Sequence, residues 1–335
     1  MGDGRLRVGT FLSSAPMAAG ADGPVSGTTP PADLARCREL LAGLDGVDFL
    51  HDLDIRHSRI RDGQVLLGDL HLGDLDLYVW HAEIDRRPGG YHLEVLRTLA
   101  RDTRVVVDPE AFAAAADKYR AHLLLRRAGV RVPETLLLDH EHVSLAEPVL
   151  AEWGRAVLKP RWGSFGRGVL FVEDYPTLRD AVGYLHSMAA DHDTTLLLER
   201  FYDNDPADWV STTVVGGHVL YGYRKRPRRW TSLGTGAAKV YDPEGEGGET
   251  DLCDVLPAHA EQARQAAKAL GLPIVGFDMI LHEGAPIVVD ENTYPGIYPD
   301  LLREAGQDLG RELYDVIAQL IDECLRARAA GGSPA

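Results

Sequence analysis

The chain has little cysteine, no excess of positive charge and no long apolar run, and each shortage removes a class of function. Cys37, Cys253 and Cys324 are its three cysteines. They stand far apart in unlike contexts, so they write neither a disulfide framework nor a zinc pattern and read as isolated thiols in a reducing compartment. Lys and Arg number 35 against 51 Asp and Glu, a net charge of -16. That balance repels nucleic acid, while leaving room for local basic clusters that hold an anionic small molecule. No stretch approaches the ~18 apolar residues of a membrane span and no leader pattern opens the chain, so the expectation is a cytoplasmic protein with neither membrane nor nucleic acid as partner.

What is present is an enzyme-like composition, 45% hydrophobic and 26% charged over 335 residues, enough for two or three compact units. "RLRVGTFLSS" (5–14), "VDFLHDLD" (47–54), "LDLYVWHAE" (75–83) and "TRVVVD" (103–108) read as strands. The helix patterns "PPADLARCRELLAGL" and "GGYHLEVLRTLA" alternate with them, which predicts a small α/β domain with a largely parallel sheet over residues 1–108. "PEAFAAAADKYRAHLLLRRAGVRVP" predicts a helix that stops before "GVRVP", within a linking region over 109–154. Residues 155–199 carry strand, Gly-rich turn, strand, helix and strand, the size of a lid. Over 200–330, "DWVSTTVVGGHVLYGYRKR" reads as a hairpin turning at Gly216 and Gly217, and "PIVGFDMILHEGAPIVVDENTYPG" as a strand pair joined at "HEGA". A C-terminal helix follows.

Chemistry enters at "VLKPRWGSFGRGVLF" (157–171), where Lys159 ends an apolar run and Gly163, Gly166 and Gly168 follow. Backbone N–H groups of a glycine-rich turn converge on phosphate oxygens. The spacing is neither a Walker A loop nor a dinucleotide fingerprint. It fits a glycine flap between antiparallel strands, and equally a plain hairpin with a surface lysine. Asp278 in "VGFDMI" and Asp290 and Asn292 in "IVVDENTYPG" add a second signal. Positions 290 and 292 share a strand face, and Asp278 can meet them across a hairpin. Three oxygen ligands there suit Mg²⁺ bound together with substrate phosphates. Glu291 points to the opposite face on strict alternation, as a weaker candidate beside a Lys or Arg.

These segments, with "TTLLLERFY" and in this order, resemble the ATP-grasp superfamily. The resemblance covers residues 105–300 and is greatest to the branch of the ribosomal-protein-modifying glutamate ligase, the lysine-biosynthesis ligase and other carboxylate–amine ligases. It implies an α/β (α+β ligase) ATP-grasp fold: an N-terminal parallel-sheet domain, a small lid subdomain and a C-terminal mixed-sheet catalytic domain. It implies ATP and Mg²⁺ (or Mn²⁺) as cofactors, with Asp278, Asp290 and Asn292 as metal set; the second member is more usually Glu. Lys118 and Lys159 become the nucleotide-contacting lysines. Ser164, Gly166, Arg167 and Gly168 become the flap over the phosphates. Glu199, Arg200, Phe201 and Tyr202 become the hinge whose backbone reads adenine, and Asp208 the ribose-contacting acid. Arg224 takes the phosphate-contacting basic position and, with Lys159 and Asn292, the catalytic role.

One departure concerns the loop where the relatives carry an Asn and an Arg. Here Ser232 and Thr235 stand near those positions, with Arg228, Arg229 or Lys239 close enough in sequence to compensate. The implied activity is amide formation through an acyl phosphate, with His81, Glu83, Tyr294 and Tyr298 as candidates for the acyl pocket. For the tyrosines core packing is an equal reading. The implied partners are a small-molecule carboxylate and an amine, free or held on a carrier protein or peptide, with a homodimer open as an assembly. A phosphotransferase that stops at phosphorylation and a nucleotide-binding module without turnover are the alternatives.

Overall fold

Strand and helix signals resolve into three layered units in the structure, a computed structural model that describes residues 5–13, 31–85, 89–163, 168–188, 195–226, 232–233, 237–238, 249–295 and 297–330. The first is a parallel sheet in the spatial order Val47–Leu50, Leu6–Leu12, Leu77–His81, Arg104–Val106. Parallel strands buried on both faces are written as continuous apolar runs, and "LYVWH" is buried throughout. Helices Pro31–Leu41 and Tyr91–Leu99 belong to this unit, as expected. The C-terminal helix Leu309–Ala329 returns to pack on Pro31–Leu41, and a Cβ at Gly310 would stand 2.7 Å from the Asp33 carbonyl oxygen. A three-stranded sheet of Arg59–Arg61, Gln64–Leu67 and Leu70–His71 adds an arm to the unit. Strands of two to four residues are too short to show alternation, so the sequence does not announce it.

The second unit is an antiparallel sheet in the order Leu170–Val172, Ala156–Pro160, Leu196–Arg200, Thr135–Leu138. Its core joins Leu138 and Leu150 to Leu158, Leu178 and Leu198, so Thr135–Leu138 and helix Ala146–Trp153 pack with the segment that follows residue 155. Gly168, where the Gly-rich turn re-enters the sheet, has φ +75°, and a Cβ there would meet the Pro160 ring at 2.8 Å. Both conditions demand glycine.

The third unit carries the order Glu249–Cys253, His218–Arg226, Val210–Val215, Ile274–His282, Ala285–Asn292, and each pairing among these strands is antiparallel. The turns fall at Gly216–Gly217 and Glu283–Gly284, as the sequence predicts. One apolar face packs on helices Pro109–Ala116, Lys118–Arg127 and Pro257–Leu270; the other joins the C-terminal helix. Cys37 and Cys324 are buried and Cys253 half-buried, all as free thiols, and burial pushes the Cys37 thiol up to about 11. Among the described residues no helix is long and apolar enough to cross a membrane.

Candidate active site

Three elements converge where the lid faces the C-terminal sheet. Asp117 caps helix Lys118–Arg127 by accepting from the Tyr119 and Arg120 N–H groups at 3.1 and 3.3 Å. This cap divides what reads in sequence as one helix, because a carboxylate offering itself to two backbone donors is a stronger local signal than alanine propensity. It also sets Lys118 at the first helical position, where its ammonium donates to Asp290. The buried Asp117 takes two further bonds from Arg161, at 2.9 and 2.6 Å, which ties the base of the Gly-rich turn to the same cap. Lys159, on the lid strand, donates to the Val289 carbonyl at 2.9 Å and lies 2.8 Å from Glu199.

Across the C-terminal sheet, Asp278 and Asp290 are register partners, and Ser211 is the partner of Asp278 on its other side. Residues directly opposite one another share a face. Ser211 Oγ donates to Asp278 at 2.5 Å, and Lys225 reaches both Asp278 oxygens at 3.0 and 3.2 Å. Strand alternation therefore turns Arg224, the residue the sequence singles out, to the opposite face. There it stands opposite Asp251 in the register, and its buried Nε has no hydrogen-bond partner among the described residues. Of the two neighbours it is Lys225 that reaches the Asp278–Asp290 face. Asn292 is the register partner of Gly276, where a Cβ would stand 2.8 Å from Pro295 Cβ and 3.4 Å from Asn292 Cβ, so glycine makes room for the loop that follows Asn292.

No group of three or more His, Cys, Asp or Glu is gathered as a metal centre among the described residues. Two partly exposed carboxylates, each already holding an ammonium, do fit a cation that takes few protein ligands and completes its shell with phosphates and water. The donors are hard oxygens throughout, the chemistry of Mg²⁺ or Mn²⁺.

The charges of the cluster are sorted by partner. Loss of hydration works to raise the Asp290 carboxyl, but the ammoniums of Lys118, Lys159 and Lys225 overcome it and hold Asp290 below the ordinary carboxylate range. Glu291, one residue on and turned to the interior, is raised by burial to about 8. Burial likewise raises Glu199 despite Lys159, and burial with the two nearby lysines pushes His122 well below its usual value. His122 lies between these glutamates, 3.3 Å from Glu199 and 3.8 Å from Glu291.

Lys118, Lys159, Glu199, Asp278 and Asp290 are thus brought together. Beyond Glu199 the expected hinge continues along the lid edge: Arg200 pairs with Glu134 at 2.7 Å, the Phe201 ring meets Phe171 at 5.1 Å, and Tyr202 meets His282 at 5.0 Å. Asp208, itself exposed, ends the turn Pro206–Asp208. Ser164, Gly166 and Arg167 of the flap lie outside the described residues, as do Arg228, Arg229, Thr235 and Lys239. His81 ends its strand fully buried against Tyr294, ring centroids 4.8 Å apart. Sequence reasoning passed over His122, Lys225 and Ser211. His122 carried a usable signal, since it follows Lys118 by four residues and so shares its helix face.

The RimK-like ATP-grasp domain matches residues 115–317. A tetrahydromethanopterin:alpha-L-glutamate ligase of Methanosarcina acetivorans is 31% identical over 229 residues, 65% of this chain and 66% of the relative. A probable alpha-L-glutamate ligase of Xanthomonas oryzae pv. oryzae is 27% identical over 210 residues, 62% of this chain and 66% of the relative. The alignments thus span just under two thirds of these relatives. The crystal structure of a RimK domain protein ATP-grasp from Sphaerobacter thermophilus superposes with a TM-score of 0.59 at 17% identity, covering 92% of this chain and 98% of that one, and so shares the fold. With the lysines and carboxylates in place between lid and sheet, the chain belongs to the RimK-like ATP-grasp family.

Proposed function

We propose that the protein is an ATP-dependent carboxylate–amine ligase that forms an amide through an acyl phosphate, releasing ADP and phosphate. The observation that carries this reading is the convergence of Lys118, Lys159 and Lys225 with Asp278 and Asp290 on the face where lid meets sheet. Lys159 and Lys118 neutralise the nucleotide phosphates from the lid side and the helix side, and Lys225 does so from the sheet. Mg²⁺ or Mn²⁺, held by Asp278, Asp290 and the Asn292 amide oxygen, would offset the remaining charge on the terminal phosphates. A substrate carboxylate attacks the γ-phosphorus and displaces ADP; the amine then attacks the acyl carbon and expels phosphate. No protein nucleophile enters, in keeping with the three cysteines lying outside the cluster. Lid closure keeps water from the intermediate.

The curated relatives are named glutamate ligases, so glutamate heads the amines to be tested, with carrier- or peptide-bound carboxylates among the acyl donors. The test is a screen of carboxylates with ATP, Mg²⁺ and hydroxylamine, read as hydroxamate and released phosphate. A hydroxamate from one carboxylate, lost in Lys159→Ala with the fold intact, is the expected result. A phosphorylated product that hydroxylamine does not trap would mean a phosphotransferase instead, and ordinary turnover in folded Lys159→Ala would overturn the site.

A further inference from the structure

His122 is among the most enclosed polar side chains of the described residues, with 2% exposure, yet neither of its ring nitrogens reaches hydrogen-bonding geometry with a neighbour among them. It lies where three elements meet: it belongs to helix Lys118–Arg127, Glu199 to the lid strand and Glu291 to the last strand of the C-terminal sheet. Its Nδ1 faces Glu199 Oε1 at 3.3 Å, and that same oxygen lies 2.8 Å from the Lys159 ammonium. Its Nε2 faces Glu291 at 3.8 Å. One carboxylate oxygen thus stands between an imidazole and the lysine of the lid. A leucine would fill the site without any polar group to bury, whereas a buried imidazole with unfulfilled nitrogens costs stability. A shift of a few tenths of an ångström by the lid strand brings the Nδ1–Glu199 contact to an ordinary hydrogen-bond length.

We propose that His122 is a positioning residue: it fixes Glu199, and through Glu199 the Lys159 ammonium, against the catalytic strand as the lid closes on nucleotide. The inference rests on the reading of Lys159 as a nucleotide-binding lysine. His122 itself touches no substrate; it acts through one carboxylate. An asparagine at 122 places its side-chain N–H₂ near the Nδ1 position, whereas a glutamine places its own near Nε2, so the two variants separate the Glu199 side from the Glu291 side.

The experiment measures binding of a non-hydrolysable ATP analogue with Mg²⁺ by calorimetry, and the KM for ATP and kcat, in the wild type and in His122→Leu, His122→Asn and His122→Gln. A hydrogen bond to a charged group is at stake, so His122→Leu and His122→Gln are expected to weaken analogue binding and raise the KM for ATP about tenfold or more, with kcat within about threefold. His122→Asn is expected to stay within about threefold of the wild type in both. Unchanged nucleotide affinity in His122→Leu overturns the proposal, and so does a His122→Asn as weak as His122→Leu, which would show mere packing. If His122→Leu does not fold, the Asn–Gln comparison decides, equal affinities overturning it. A wild type that fails to bind the analogue at all would instead remove the reading of Lys159 on which this one stands.

Discussion

Two junctions flank the end of the Ala285–Asn292 strand, and they treat buried polar groups differently. Between lid and sheet, each of Lys118, Lys159 and Lys225 has its carboxylate: Asp290, Glu199 and Asp278. Between the parallel sheet and the loop after Asn292, His81 and Thr293 are buried with side-chain polar atoms that find no hydrogen-bond partner among the described residues. Unmet buried atoms, each costing about 1–3 kcal/mol, occur on both sides, at His122, Glu199 and Glu291 as well as at His81 and Thr293, so what sets the lid side apart is that its ammoniums are matched one by one by carboxylates. On the proposed reading, the lid side is the nucleotide side, a charge cluster built in advance, and the other side offers its donors and acceptors to the remaining substrates.

The largest effect is expected from breaking the paired side. Asp290→Ala removes one of the carboxylates proposed to hold the metal and strands the Lys118 ammonium. It should lower ADP formation by about a thousandfold or more, with a fall in melting temperature that Asp290→Asn lessens. Ordinary ADP formation in folded Asp290→Ala would break the comparison at its root.

A second test sets neighbours against each other. Lys225→Ala should lower kcat/KM by about a hundredfold, whereas Arg224→Ala, on the opposite face, should stay within about threefold. The reverse order would mean that the strand places Arg224 toward the phosphates during turnover.

These residues also show where a sequence stops being readable. Lys159, Asp278 and Asp290 are legible from the glycine turn and the apolar strands beside them, whereas Lys118 comes only with the resemblance, through "DK". That Lys225 rather than Arg224 reaches Asp278 is not legible, because "YRKR" offers adjacent basic residues and one residue in a strand is a change of face. His122 needed the knowledge that two strands from distant parts of the chain bring Glu199 and Glu291 to the same helix face. The three-unit architecture was legible from alternating patterns. The arm over 59–71 and the division of the Ala-rich helix at Asp117 were not, the one through brevity and the other because a cap inside a helical pattern looks like a surface acid.

The unpaired side invites a smaller change. His81→Leu should raise the KM for the carboxylate or the amine about tenfold while leaving the KM for ATP unchanged. An altered ATP KM with unaltered substrate KM would place His81 in the nucleotide half and undo the division.

The two junctions should also differ in the sign of their pH dependence. His81 is lowered by burial from 6.5 to about 4, so between those values the unfolded chain binds a proton that the folded chain does not. Its contribution is whole above pH 6.5 and is lost as pH falls toward 4. Glu291 is raised by burial from 4.5 to about 8, so the folded chain holds the extra proton; its contribution is whole below pH 4.5 and is lost as pH rises toward 8. Denaturant unfolding of the wild type, His81→Leu and Glu291→Gln from pH 4 to 8.5, read as differences from the wild type, separates the two. Relative to the wild type, His81→Leu should gain stability as the solution is acidified, by up to about 3 kcal/mol for a fully buried imidazole. Glu291→Gln should gain as the solution is made alkaline; the two windows overlap between pH 4.5 and 6.5, so the slope above pH 6.5 should change in Glu291→Gln alone and the slope below pH 4.5 in His81→Leu alone. Parallel curves for His81→Leu and the wild type on the acid side would show an imidazole that takes up its proton in the folded state, and with it a junction whose buried groups are not unmet after all.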